Sequence, residues 1–146
     1  MSANSKLSIG IHVLTWMALD QRDDQAIATS QRIAESVNTN AVVIRRCLGD
    51  LRRAGLVNAK RGVGAGWFLA RDAQSISLLD VYCAVEEGGL FATHHTPPNP
   101  ECPVGFGIRP TLHVVYERLD ESVRRELAST TIADVLRDVL AQQRQA

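Results

Sequence analysis

The chain has 146 residues, 45% hydrophobic and 22% charged, so it can bury one modest core and carries no signature of disorder. Sixteen basic and sixteen acidic residues leave no net charge, so overall charge does not indicate a nucleic-acid partner. The first residues lack a secretory signal, and no apolar stretch approaches the roughly 20 residues that cross a bilayer. Three cysteines without close spacing favour a reducing compartment, so we expect a cytoplasmic protein with no membrane partner.

The first part of the chain has the pattern of three helices. Apolar residues at three- and four-residue steps predict the first of them: Leu7, Ile11, Leu14 and Ala18. Either Thr29 or Ser30 can cap the second, and the polar run 38–40 interrupts it. A third helix is predicted over 41–54, with Gly55 as its left-handed stop. So short an interruption is typical of a helix-turn-helix.

The segment after this helix predicts a two-stranded hairpin with a glycine-rich tip. Side chains alternate over 56–61, the tip spans 62–66, and the chain returns through 67–69. Alternate glycines also suggest a phosphate-cradling loop, but no Gly-Lys-Ser/Thr ending follows them. A helix-turn-helix followed by such a hairpin indicates a winged helix. The fold class we predict is therefore mainly α with a small β-hairpin wing (α+β).

Positive charge is concentrated in this part of the chain. Between positions 41 and 71 the sequence has one acidic residue, Asp50, and seven basic residues: Arg45, Arg46, Arg52, Arg53, Lys60, Arg61 and Arg71. Such segregation is expected of a surface that binds DNA phosphates, and a solvated helix face is the alternative.

The side chains that point away from the apolar stripe of the third helix are candidates for contact with DNA. Arg45 and Arg46 are the first candidates for base contacts, because arginine can pair with guanine through two hydrogen bonds, and Asn40 is the next. Arg52 and Arg53 near the helix end either contact phosphate or are structural charges that favour the helix dipole. The predicted DNA-binding residues are Thr39, Asn40, Val42, Arg45, Arg46, Arg52, Lys60, Arg61, Gly62 and Gly64. Those of the hairpin suit the minor groove and the DNA backbone.

Several runs of residues resemble a known family. They are Ala54-Gly55-Leu56-Val57, Arg61-Gly62-x-Gly64-x-Gly66, Ile76-Ser77-Leu78-Leu79-Asp80-Val81, Asn99-Pro100-x-Cys102-Pro103 and Ile132-Ala133-Asp134-Val135-Leu136. With them, nearly the whole chain resembles the Rrf2 family of bacterial winged-helix transcription regulators. The resemblance implies a homodimer that binds a palindromic double-stranded DNA operator and usually represses transcription.

The same resemblance raises the question of a cofactor. Several members of that family carry an iron-sulfur cluster on three closely spaced cysteines in a loop before a long dimerisation helix. Here that sensor-type loop, 87–103, offers Cys102 with His94 and His95 nearby, so the cluster pattern is absent. We expect no cofactor and no metal, and a zinc or cluster site built from these three residues of two subunits is the alternative.

Cys102 is also a candidate for redox or ligand sensing. Pro103 suits the first position of a helix, which would make Cys102 its N-cap and favour the thiolate. The alternative is a partly buried cysteine that serves as a small apolar residue.

The C-terminal part predicts two amphipathic helices. Apolar positions from Thr111 onward form a long stripe, and one of Ser129, Thr130 or Thr131 can cap a final helix. We expect both helices to pair with their copies across a twofold axis, and an intramolecular hairpin is the alternative. The predicted domains are residues 1–86 for DNA binding, 87–103 as a sensor-type loop and 104–146 for dimerisation.

Other functions remain to be weighed against DNA binding. No catalytic signature surrounds Cys102 or the histidines, so we do not expect an enzyme. A winged helix that serves as a protein-interaction module would not need Arg45, Arg46 and Arg61. The sequence does not identify a small-molecule effector, the operator or the regulated genes.

Overall fold

The computed structural model describes residues 3–22, 28–86 and 88–146. Its helices and strands are α1 (Ala3–Arg22), α2 (Ser30–Val37), α3 (Ala41–Arg53), β1 (Val57–Lys60), β2 (Gly66–Leu69), α4 (Leu78–Val85), α5 (Pro103–Ala128) and α6 (Ile132–Gln145), with a short 3-10 helix at Ala73–Ser75. They form two compact units, Met1–Glu86 with Leu127–Ala146, and Glu87–Glu126. The elements confirm the predicted fold class, mainly α with a β-hairpin.

The core of the first unit is made by apolar faces of five helices. Leu14 of α1, Ile33 of α2, Leu48 of α3, Val81 of α4 and Ile132 of α6 are each 0% exposed. Removing an aliphatic side chain of this size from water contributes about 1.5 to 3 kcal/mol. Since α2, α3, α4 and α6 all contact α1, this core holds the helix-turn-helix in place.

Local hydrogen bonds shape the turn between α2 and α3. The Thr29 hydroxyl accepts a hydrogen bond from the Arg32 backbone at 3.2 Å, which makes Thr29 the N-cap of α2. Asn38 ends that helix in the left-handed conformation with φ 62°. The Asn40 side chain then accepts from the Val43 backbone at 3.0 Å and caps α3. The predicted helix-turn-helix is therefore confirmed, with both its caps within the segment that the sequence indicated.

The hairpin has the predicted strands and tip. β1 and β2 pair antiparallel, with Val57 opposite Leu69 at the base. At the tip, Gly62 and Gly64 have φ values of 87° and 74°, in the region that side chains with a Cβ rarely adopt. Glycine is therefore needed at the positions that turn the wing.

A third extended segment, not predicted from the sequence, supports the wing. Ala28, just before α2, forms an antiparallel bridge with Trp67 of β2. Its carbonyl accepts from the Trp67 backbone at 2.8 Å, and its N–H donates to the Trp67 carbonyl at 3.3 Å. The start of the helix-turn-helix is thus hydrogen-bonded directly to the wing.

The N-termini of α4 and α6 lie side by side. Each has a capping box, Ser77 with Asp80 and Thr131 with Asp134, so Thr131 is the residue that caps the final helix. The backbone N–H of Leu78 donates to the carbonyl of Thr130 at 2.9 Å. The backbone N–H of Ile132 donates to the carbonyl of Ile76, also at 2.9 Å. Because it packs on α1, α6 belongs to the first unit.

The long helix α5 differs from the others because none of its 26 residues is buried. The predicted domains 1–86, 87–103 and 104–146 stay a prediction, and the two compact units group these residues differently. The loop groups with most of α5, and the last helix groups with the DNA-binding elements. The reason is that α6 buries Ile132 and Leu136 in the core of the first unit.

Candidate nucleic-acid interface

The two faces of α3 have opposite characters. Its buried side consists of Ile44, Cys47, Leu48 and Leu51. On the other side, Val42, Arg45, Arg46 and Gly49 follow the i, i+3, i+4, i+7 spacing of a single helix face. The first three of these side chains are exposed. A helix held by its apolar face and open on the other has the arrangement of a recognition helix.

The structure limits what Asn40 and Thr39 can contribute. The side-chain oxygen of Asn40 is used to cap α3 at the Val43 backbone, so its amide N–H2 is what remains for a base contact. Thr39 is half-buried, and its backbone donates to the carbonyl of Ala34 at 3.0 Å. Both residues therefore shape the turn, whatever contact they make with DNA.

Two of the seven basic side chains of the patch are already paired within the chain. The guanidinium of Arg53 contacts the carboxylate of Asp50, one helical turn away. Arg71 lies 3.4 Å from the Asp80 carboxylate and also donates to the carbonyl of Ser75.

Five basic side chains remain, and all of them are exposed: Arg45, Arg46, Arg52, Lys60 and Arg61. Within the part of the chain that the structure describes, none of them forms an ion pair. They lie on α3 and on the wing, which are the elements predicted to contact DNA. Arg53 at the end of α3 is therefore paired within the chain, whereas the neighbouring Arg52, a predicted DNA contact, is exposed.

The tip of the wing contains an exposed apolar residue that was not among the predicted DNA-binding residues. Val63 is 100% exposed and lies between Gly62 and Gly64. Lys60 and Arg61 are exposed beside it. The sequence signal that could have identified it is an apolar residue between two glycines of a predicted turn.

Cys47 is buried, whereas Cys83 and Cys102 are exposed. Cys47 is buried on α3, and burial, with the nearby charge of Asp50 as the lesser cause, raises the pKa of its thiol to about 12. Cys102 is exposed, and its carbonyl accepts the hydrogen bond of the Phe106 backbone at 2.8 Å, which gives it the predicted N-cap position of α5. Backbone hydrogen bonds from Gly105 and Val104 lower the pKa of the Cys102 thiol. Cys102 therefore has the environment of a reactive thiol and Cys47 that of a core residue.

The two histidines of the loop are exposed. The carbonyl of His94 accepts a hydrogen bond from the Arg109 guanidinium, and His95 lies next to it in the chain. In residues 3–22, 28–86 and 88–146, no group of three or more His, Cys, Asp or Glu side chains is placed to hold a metal ion.

The sequence model of the Rrf2 family, described as iron-dependent transcriptional regulators, matches residues 3–138. The chain belongs to the Rrf2 family. It is 40% identical over 134 residues to YwnA of Bacillus subtilis, provisionally named an HTH-type transcriptional regulator, with 91% of this chain and 96% of YwnA covered.

Solved structures support the same assignment. A crystal structure of a protein provisionally described as DNA-binding has 35% sequence identity and a TM-score of 0.71, and the match covers 90% of this chain and 98% of that one. The global cysteine regulator CymR of Bacillus subtilis has the same fold, with a TM-score of 0.67 at 20% identity over 93% of this chain and 95% of CymR. The Rrf2 protein described above is thus a DNA-binding transcriptional regulator, and its homologues are regulators too.

Iron, which the family description names, does not fit the donors of this chain. A cluster requires several thiolates within reach of one another, and Cys47 is buried with its pKa raised to about 12. The loop residues His94, His95 and Cys102 are not grouped with a further donor into a site in the described residues.

No helix in the described part of the chain is long and apolar enough to span a membrane.

Proposed function

We propose that this Rrf2 protein is a homodimer that binds a palindromic operator and represses transcription. The observation that carries the proposal is the set of five exposed basic side chains without an ion pair on α3 and the wing. One chain offers one recognition helix, which suits one half-site, and a twofold dimer would place two of them about one DNA turn, roughly 34 Å, apart.

Helix α5 supports the dimer. It buries no residue, although apolar side chains such as Val114, Val115 and Leu119 are exposed along it. A long helix with an uncovered apolar stripe is stabilised when it packs against another such helix, and a second copy of the chain supplies one. A dimer would thus bury the apolar surface that the isolated chain exposes and bring two DNA-binding units together.

A salt titration tests the proposal. The wild-type protein is titrated by fluorescence polarisation against DNA from upstream of its own gene at several salt concentrations. If Arg52, Lys60 and Arg61 of both subunits contact phosphates, the logarithm of the association constant should fall with the logarithm of salt concentration with a slope of about −5. An affinity that does not fall with salt would contradict DNA binding through this surface.

The protein acts, in this proposal, as a cytoplasmic regulator without enzymatic activity and without an iron-sulfur cluster. The separate environments of Cys47 and Cys102 support the last point. Protein purified without oxygen should therefore contain no stoichiometric iron and show no broad visible absorption. Iron at one cluster per chain would overturn this part and favour a cluster-dependent sensor of the same fold.

A response to oxidants, if the protein has one, goes through Cys102 in this proposal. Its thiol is exposed, and the first turn of α5 stabilises the thiolate. The expected outcome is that an oxidant dose that releases wild-type protein from DNA leaves Cys102→Ser protein bound. The same dose response in both proteins would exclude Cys102 as the sensor.

A further inference from the structure

An apolar side chain lies near the N-terminal end of the exposed face of α3. Val42 occupies the second position of α3 and is 54% exposed. By helical spacing it precedes Arg45 and Arg46 by three and four residues, so these three side chains share one face. The apolar core lies on the opposite side of the helix, which means that Val42 has no part in holding α3 to the domain.

Folding does not favour valine at this position. A β-branched residue loses side-chain freedom in a helix, and an exposed one gains little from burial in return. Alanine or a long polar residue would stabilise this turn of the helix better. A contact outside the chain would explain why an apolar residue stands here.

The chemistry of the major groove identifies such a contact. Each thymine presents a 5-methyl group there, and apolar side chains at the N-terminal end of a recognition helix can pack against it. The valine side chain has two methyl groups and no hydrogen-bonding atom. It can therefore recognise a thymine by packing against the thymine methyl group, and not by a hydrogen bond to the base edge. Since Asn40 uses its side-chain oxygen as a cap, Val42 is the first side chain of α3 that is wholly free for the groove.

We propose that Val42 packs against the 5-methyl group of a thymine in each half-site of the operator and makes that thymine a specificity-determining base. Arg45 and Arg46 supply hydrogen bonds from the same face, and Val42 supplies the apolar contact between them. This inference rests on the proposed binding of DNA by α3, and it adds one base identity to that function.

The test removes the methyl group and nothing else. A duplex selected by wild-type protein from a randomised library is prepared with each thymine in turn, and its symmetry mate, replaced by deoxyuridine. Affinities for wild-type and Val42→Ala protein are measured by fluorescence polarisation. At one symmetric pair, wild-type affinity should fall about fourfold for each half-site, the value of one buried methyl group. Val42→Ala protein should bind the thymine duplex more weakly than wild type and lose the difference between thymine and uracil at that pair.

Val63→Ala provides the matched control. The same substitution at the exposed wing tip should leave the uracil penalty at that pair unchanged, because the 5-methyl group lies in the major groove and the wing is assigned to the minor groove. Circular dichroism checks that Val42→Ala protein folds, as is expected for an exposed residue. Val42→Thr, which keeps one methyl group, should retain part of the penalty.

The outcomes separate the inference from the function on which it rests. If wild-type protein binds the selected duplex but no replacement of thymine by deoxyuridine lowers its affinity, Val42 does not contact a thymine methyl group. The same conclusion follows if Val42→Ala protein keeps the full uracil penalty. If wild-type protein selects no sequence and its binding does not respond to salt, the proposed DNA-binding function itself is wrong.

Discussion

The two compact units of this protein differ in what stabilises them. The first unit encloses a core to which five helices contribute. That core holds α3 in place, and the Ala28–Trp67 bridge also supports the wing. The second unit is dominated by α5, which buries none of its residues and exposes apolar side chains such as Phe106 and Leu119. The five exposed basic side chains of α3 and the wing therefore lie in the first unit, whereas the apolar stripe of α5 is left uncovered in a single chain.

The strongest test of this difference is to make the stripe of α5 polar. Val115→Gln/Leu119→Gln protein should be a monomer of 16.0 kDa instead of a dimer, with the first unit still folded. Because two linked half-site contacts bind far more tightly than one, operator affinity should fall at least about 100-fold. Sedimentation and fluorescence polarisation measure the two effects.

Glu117→Gln/Glu121→Gln is the matched control for this pair, since it places the same residues on the opposite face of α5. That protein should stay dimeric and bind the operator. If both double variants behave alike, the apolar stripe is not the dimer contact.

Within the first unit, the pairing of arginines divides the basic patch. Arg46→Ala should lower operator affinity by roughly 10- to 100-fold, the usual effect of losing an arginine contact to a guanine. Arg53→Ala removes an arginine from the same helix that is already paired with Asp50, so its effect should be much smaller. Equal losses in a polarisation titration would show that the internal ion pair does not distinguish them.

A substitution at Gly49 should change the stability of the protein and its affinity for DNA in opposite directions. Gly49 lies within α3 on the face of Val42, and an added Cβ would meet only the Arg53 guanidinium at an ordinary 3.7 Å. Gly49→Ala should therefore raise the free energy of unfolding by about 0.5 to 1 kcal/mol, because alanine favours the helix, and should weaken DNA binding severalfold if the groove wall comes close. Urea unfolding and polarisation measure the two.

The control for Gly49→Ala is Gly55→Ala, where φ is 78°. Alanine there should destabilise the protein, because the left-handed conformation is strained for a residue with a Cβ. If Gly49→Ala protein is more stable and binds the operator as tightly as wild type, DNA does not approach this position closely.

The smallest expected effects concern the cysteines. The pKa of Cys102 is lowered by the backbone N–H groups of Val104 and Gly105, so its thiolate is populated at a lower pH than that of a free cysteine. Alkylation of Cys102 should therefore begin below the pH at which an unstructured cysteine peptide reacts, whereas Cys47, with a pKa of about 12, should react only after unfolding. Mass spectrometry of the alkylated peptides over a pH series compares them, and early labelling of Cys47 in native protein would contradict its burial.

Much of the DNA-binding unit was predictable because its signals are local. Thr29 and Asn40 each cap a helix by accepting a hydrogen bond from the backbone three residues further on. Gly55 after α3, and Gly62 and Gly64 in the wing, each turn the chain through their own positive φ. Each depends on backbone groups nearby in the chain, so the residue types were enough to limit the first cap to Thr29 or Ser30 and to mark 38–40 as the turn. The apolar stripe of α3 is equally local, since helical spacing decides which side chains share a face.

What the sequence by itself determined is therefore the identity of the elements and the face that each helix offers. Only the tertiary structure decided which distant segments meet. It joined Ala28 to Trp67, placed α6 on α1, and paired Arg71 with Asp80. Together with the local Arg53–Asp50 pair, the last contact leaves five of the seven basic side chains of the patch without an ion pair in the described residues. The physical reason is that a cap or a helix forms within a few residues, whereas a bridge or an ion pair between distant positions depends on where the whole core brings the chain back.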